Sequence, residues 1–179
     1  ETFMKKTTIA TLLILLIAST TIFAVDDSFT VTTSIAERGD MKVSASSIGG
    51  NTVAAYTAAG DFTSKSVSAS GDQGTVAYMT TLSNKRVGYK VTMAATPMIN
   101  TDGTATSYID YTVVCGDQTV ATKGALAATV TGSYVDSVSG LTGLTGKSIP
   151  ITLNVDAPTY AAAVSGAHTG TVTFTFTAN

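Results

Sequence analysis

Tryptophan is absent from the 179 residues, cysteine and histidine occur once each, and proline three times. Only 12% of the residues are charged, with 10 Lys and Arg against 12 Asp and Glu. Each scarcity removes a class of function. A lone Cys115 cannot form an intrachain disulfide, so the domain must be held by its core, its sheet hydrogen bonds or its partners. One histidine, one cysteine and scattered carboxylates do not make a closed zinc site. A glycosidase pair would have to use aspartates, since Glu37 is the only glutamate beyond the first residue, and none are placed suggestively. No Gly-x-Ser-x-Gly elbow accompanies His168. There is no Lys/Arg cluster of the kind nucleic acid demands, and no polybasic stripe for a membrane surface. The expectation is a protein that is not an enzyme, with no catalytic residue, metal or cofactor and no nucleic-acid partner.

What is present begins with Met4, Lys5 and Lys6, followed by the apolar run through Leu12, Leu13, Ile14, Leu15, Leu16 and Ile17 to a small residue at Ala24. Positive charge, short apolar core and small residue form the pattern of a secretory signal peptide, and the run falls short of the ~20 residues of a comfortable span. Residues 1–24 are therefore expected to be a leader, with Glu1–Phe3 upstream of the start and cleavage after Ala24; an uncleaved anchor is the alternative. Removing Lys5, Lys6 and Glu1 leaves 8 basic and 11 acidic residues, a net charge of −3, on a 155-residue chain of one-domain size. No cysteine stands directly after the leader, as a lipoprotein would need, and no apolar or basic tail follows the last strand, so a further expectation is that another protein retains this one if it is held at a surface.

The remaining sequence is written in strands. Val172, Phe174 and Phe176 alternate with Thr171, Thr173, Thr175 and Thr177, giving one apolar and one hydroxyl face. Ile149, Ile151, Leu153 and Val155 repeat the pattern, with Pro150 suggesting an edge or a bulge. Val87, Tyr89, Val91 and Met93 make a third set; Ile109, Tyr111, Val113 and Cys115 a fourth. Turn signals such as Gly49-Gly50-Asn51, Ser70-Gly71-Asp72 and Cys115-Gly116-Asp117 punctuate these runs in the rhythm of an all-β sandwich. Ser133–Gly146 reads as a long loop, and helix is poorly supported throughout. Cys115 falls in the inward register of its strand and is expected in the core, as are several tyrosines. His168 is expected to face solvent in a turn, and Asp26-Asp27 and Asn100-Thr101-Asp102 lack the ligand spacing of a calcium loop.

The segment Ser28–Ala36 is an amphipathic strand at the start of the expected mature chain: Phe29, Val31, Thr33 and Ile35 alternate with hydroxyl residues before Glu37-Arg38-Gly39-Asp40 ends the run. It could be the first strand of its own sheet. The run Phe29-Thr30-Val31-Thr32-Thr33-Ser34-Ile35 resembles the mature N-terminus of major subunits of chaperone–usher fimbriae of the alpha, or class 5 colonisation-factor, type. Lys85–Met93 with Ala94-Ala95-Thr96-Pro97 resembles a middle strand of those pilins, and Ile149–Ala157 and Ser165–Val172 resemble their closing strands. The resemblance is collinear over most of the mature chain; it departs at His168, where an aromatic is usual, and over Asn51–Asp72.

The resemblance implies an immunoglobulin-like β-sandwich, 39–179, that lacks its last strand, preceded by a donor strand, 25–38. A periplasmic chaperone would fill the gap first. The extension of the next identical subunit would then replace it at an outer-membrane usher, building a surface fimbria that supports adhesion, with a tip adhesin as a further partner. Main-chain hydrogen bonds give affinity in such strand addition and alternate side chains fill pockets. The plugs would be Phe29, Val31 and Ile35, each worth about 1.5–3 kcal/mol when fully buried, with Thr33 shallower. Alternation nominates Val43, Ile151, Leu153, Phe174 and Phe176 as groove walls. The competing expectation is a secreted β-sandwich that binds carbohydrate or protein as a monomer, with Phe29–Ile35 paired inside its own sheet.

Overall fold

In the computed structural model the described residues are 29–102, 105–129 and 133–179, so the expected leader and Val25–Ser28 lie outside them. The chain divides between Ile35 and Ala36 into two compact units. In the first, Phe29–Ile35 form no strand and are exposed.

The second unit is all-β, with antiparallel sheets. Eleven strands are described: β1 (Gly39–Ser44), β2 (Gly71–Ser83), β3 (Tyr89–Ala95), β4 (Met98–Asp102), β5 (Ala105–Ile109), β6 (Tyr111–Cys115), β7 (Gln118–Ala121), β8 (Ala128–Thr129), β9 (Asp136–Val138), β10 (Thr145–Val155) and β11 (Val172–Ala178). One sheet has the order β1-β2-β10-β6-β7. A second has the order β11-β3-β8, with β9 also pairing β3. Strands β4 and β5 form a separate hairpin.

The alternating sets place the core. Tyr89, Val91 and Met93 on β3 turn inward, while Lys90, Thr92 and Ala94 are only partly covered. They meet Met79 of β2, Val113 and Cys115 of β6 and Ile149 and Ile151 of β10 in one apolar cluster to which both large sheets contribute. A polar tie crosses that cluster. Asp136 accepts hydrogen bonds from the Tyr89 hydroxyl at 2.7 Å and Thr81 Oγ1 at 3.3 Å, and pairs with Lys147 Nζ at 2.9 Å. These four residues come from β9, β3, β2 and β10, so a shift of either sheet would strand a buried carboxylate.

Several expectations need correction. Two short helices form, α1 (Val53–Ala58) and α2 (Ala157–Ala162). Thr52 caps α1 through Ala55 N–H, and Asp156 caps α2 through Thr159 N–H with Pro158 in the first turn. Side-chain caps of this kind compensate for poor helical periodicity. Ser133–Gly146 is not all loop: it contains β9 and the first residues of β10. Strand β10 is central rather than an edge, pairing β2 and β6. Pro150 lies one residue outside the stretch paired with β6 and next to the register shift after Ile151, so a missing N–H is tolerated there. Val87 is outside its strand and exposed.

Candidate functional site

The two large sheets do not close along one side. Strand β11 is last in its sheet, and among the described residues no strand pairs with its outer edge. Strand β1 is last in the other. The two edges touch at one end, where a Cβ placed on Gly39 would stand 3.1 Å from the Phe176 ring. Away from that end they separate, and a cavity of about 910 Å³ lies between them.

Its floor is apolar: Val76 and Ala77 of β2, Ile109 of β5, Tyr111 and Val113 of β6, and Ile151 and Leu153 of β10. Val172 and Phe174 of β11 line it together with Val164–Thr171, the approach to that strand. The remaining wall is the strap Phe62–Val67, which has no regular structure of its own. Phe62 N–H donates to Val43 O at 2.8 Å, which starts the strap alongside β1. Phe62 and Val67 are half-buried against the core, and Thr63–Ser66 between them are exposed. Among the described residues no backbone hydrogen bond reaches Thr63–Ser68. The strap and strand β11 thus both line one cavity, in which apolar residues of the core are joined by hydroxyl-bearing residues of the strap and of the approach to β11.

The expected groove residues fall as follows. Val43, Ile151, Leu153 and Phe174 line the cavity. Phe176 does not: it stacks on Tyr89 with ring centroids 5.0 Å apart, at the closed end. Phe29, Val31 and Ile35 are 88%, 80% and 82% exposed, and Thr33 is exposed with them. The strap was not legible, because two apolar residues five apart in a Ser/Thr/Lys stretch match neither strand nor helix period. Phe62 itself was the available signal, an aromatic between two turn clusters.

His168 also lines the cavity and is half-buried rather than solvent-facing. Its Nε2 lies 3.1 Å from Ser107 Oγ and its Nδ1 3.1 Å from Gly166 O, while Ser107 Oγ accepts from Val164 N–H. These contacts fasten the approach to β11 onto β5. The ring has a hydroxyl and a carbonyl as described partners, whereas activation of a serine would require a carboxylate behind it. Cys115 is fully buried and its thiol is pushed up to about 12 by burial, so it offers little thiolate at neutral pH. Among the described residues no three His, Cys, Asp or Glu side chains converge to hold a metal ion, and no helix is long and apolar enough to cross a membrane. Compared with protein-family models, curated proteins and solved structures, the chain matches none.

Proposed function

We propose that this chain is the structural subunit of a surface fimbria that polymerises by donating a strand from each subunit to the next. The observation that carries this reading is the cavity lined by both β11 and the strap Phe62–Val67, and the first unit, taken by itself, exposes the apolar side chains of its alternating run. A strand laid in this trough would hydrogen-bond β11 and place alternate side chains over Val76, Ile151, Leu153 and Phe174. In that reading the fold is an immunoglobulin-like β-sandwich short of one strand, and residues 1–24 are a cleaved signal peptide.

Phe29, Val31 and Ile35 of a neighbour have the spacing to fill such a trough, with Thr33 less deeply set. The chain's own exposed apolar edge explains the need for protection in transit, by a periplasmic chaperone before handover at an outer-membrane usher. The product is a fibre of identical subunits at the cell surface, able to carry a tip adhesin, and the subunit's role is structural rather than enzymatic. The competing monomeric binding module would pair Phe29–Ile35 within its own sheet; those residues form no strand.

The test compares two versions of the mature protein by size-exclusion chromatography and thermal unfolding. One lacks residues 25–35; the other also carries a copy of residues 27–37 on a flexible linker after Asn179. The expected result is an aggregation-prone first version and a much more stable, monomeric second one. A stable first version that the appended copy does not improve would rule the mechanism out.

A further inference from the structure

The trough is apolar along its floor but has one formal charge in its walls. Among the described residues that line it, Lys65 is the only Asp, Glu, Lys or Arg, and it sits exposed in the middle of the strap. The extension has a matching asymmetry. From Ser28 to Ala36 it is uncharged; acidic residues flank it, Asp26-Asp27 at the tip and Glu37 at the root. The root charges are already engaged at home. Glu37 pairs with Lys85 Nζ at 3.1 Å, and Arg38 pairs with Asp40. Asn84 holds the same root, accepting from Arg38 N–H and donating to Ala36 O. By sequence, the tip of an incoming extension would bring the two carboxylates of Asp26 and Asp27 beside the Val25 ammonium, a net charge of −1.

We infer that Lys65 receives Asp26 and Asp27 of the neighbour's extension and so sets the direction and register in which that strand lies. The inference rests on the strand-donation reading and deepens it. Apolar alternation alone cannot choose a direction, because Phe29, Val31, Thr33 and Ile35 present the same face whichever way the strand runs. A register slipped by two residues also keeps that face inward. A charge at one end of the strand and a single opposite charge on the wall break both ambiguities. Complementary charge of this kind selects orientation and partner more than it adds affinity. It also disfavours a strand whose tip is basic, which guards an edge that would otherwise accept any extended apolar segment.

A charge-reversal cycle tests this. A labelled peptide of residues 25–35 is titrated by anisotropy into the exported full chain, held dilute enough to stay monomeric. Lys65→Glu should weaken the native peptide about three- to tenfold, as expected for replacing an exposed attraction by a repulsion. A peptide carrying Asp26→Lys and Asp27→Lys should bind the Lys65→Glu protein better than it binds the native one. Lys65→Gln should lose the salt sensitivity that the native pair displays. Equal binding of the native peptide by the native and Lys65→Glu proteins, or a reversed peptide without reversed preference, overturns the inference. In that event a Phe29→Asp peptide that fails to bind keeps the trough reading intact. Failure of the native peptide to bind any version overturns both. Thermal unfolding of the two Lys65 variants, expected to match the native protein because the side chain is exposed, separates a binding effect from misfolding.

Discussion

At Gly88 the chain turns into β3 with φ of 88°, and a Cβ there would stand 1.9 Å from Val138 O. Both the conformation and the space exclude any other residue. Gly88→Ala should cost about 3 kcal/mol or prevent folding, which urea unfolding of the protein would read. Asp136 makes a different demand. Removing the carboxylate leaves the Tyr89 hydroxyl and Thr81 without it as an acceptor, so Asp136→Ala should destabilise by about 3 kcal/mol. A loss below that of an ordinary surface substitution would show that the tie does not hold the sheets. Burial pushes the Tyr56, Tyr89 and Tyr111 phenols up to about 12 from an ordinary 10.0. A folded value above the unfolded one means stability that is complete below about pH 10 and disappears as pH climbs toward 12. An absorbance titration should therefore find these three silent near pH 10 and ionising only together with unfolding; reversible ionisation of the three near pH 10 would contradict their burial. Much of this scale was readable beforehand. Tyr89, Tyr111 and Cys115 sat in alternating runs, so their inward direction followed from period alone. His168 was misjudged because its Ser107 contact joins residues 61 positions apart, which no local pattern reports.

Among the elements, β3, β6, β10 and β11 were visible as alternating runs because each presents one face to a core and the other to less apolar surroundings. The two helices were not, since six residues give less than two turns of periodicity and their caps do the work of nucleation. Asp156→Ala removes the bond to Thr159 N–H and should cost about 1 kcal/mol, read as a lower urea midpoint at unchanged slope. The strap was invisible for the opposite reason: its order comes from two anchors, Phe62 and Val67, rather than from a repeat. Strand β11 combines both cases. Its inward residues Val172, Phe174 and Phe176 are only half-buried, although alternation marked them as core. Phe174→Ser should cost about 1 kcal/mol in the isolated chain, where the ring is incompletely covered. If a donated strand lies over β11 as proposed, the same substitution should weaken capture of the 25–35 peptide more than tenfold, measured by the same anisotropy titration. A Phe174→Ser chain that captures the peptide normally would overturn that placement.

On the scale of the whole molecule, an all-β fold followed from the sequence because hydroxyl and apolar residues alternate almost everywhere. Alternation nominated Val43, Ile151, Leu153 and Phe174, which line the cavity, but not the opening itself, because a strand's pattern shows which face is apolar and not what covers it. One further consequence lies in where the ends of this unit sit. Ala36 and Arg38 are held by Asn84, and Asn179 bonds to Gly88 O, at the end where Gly39 meets Phe176. The cavity does not include that end: Val172 and Phe174 line it, and Phe176 does not. If strands are donated as proposed, a joint that leaves one place on the body and enters another would be heterologous: it would use two different patches and relate copies by a repeated screw step rather than a two-fold axis. Such a step would have no reason to return on itself, so each added copy would expose the same unfilled site as the last. Length would then be a matter of supply, and ending the chain would take a molecule of another kind.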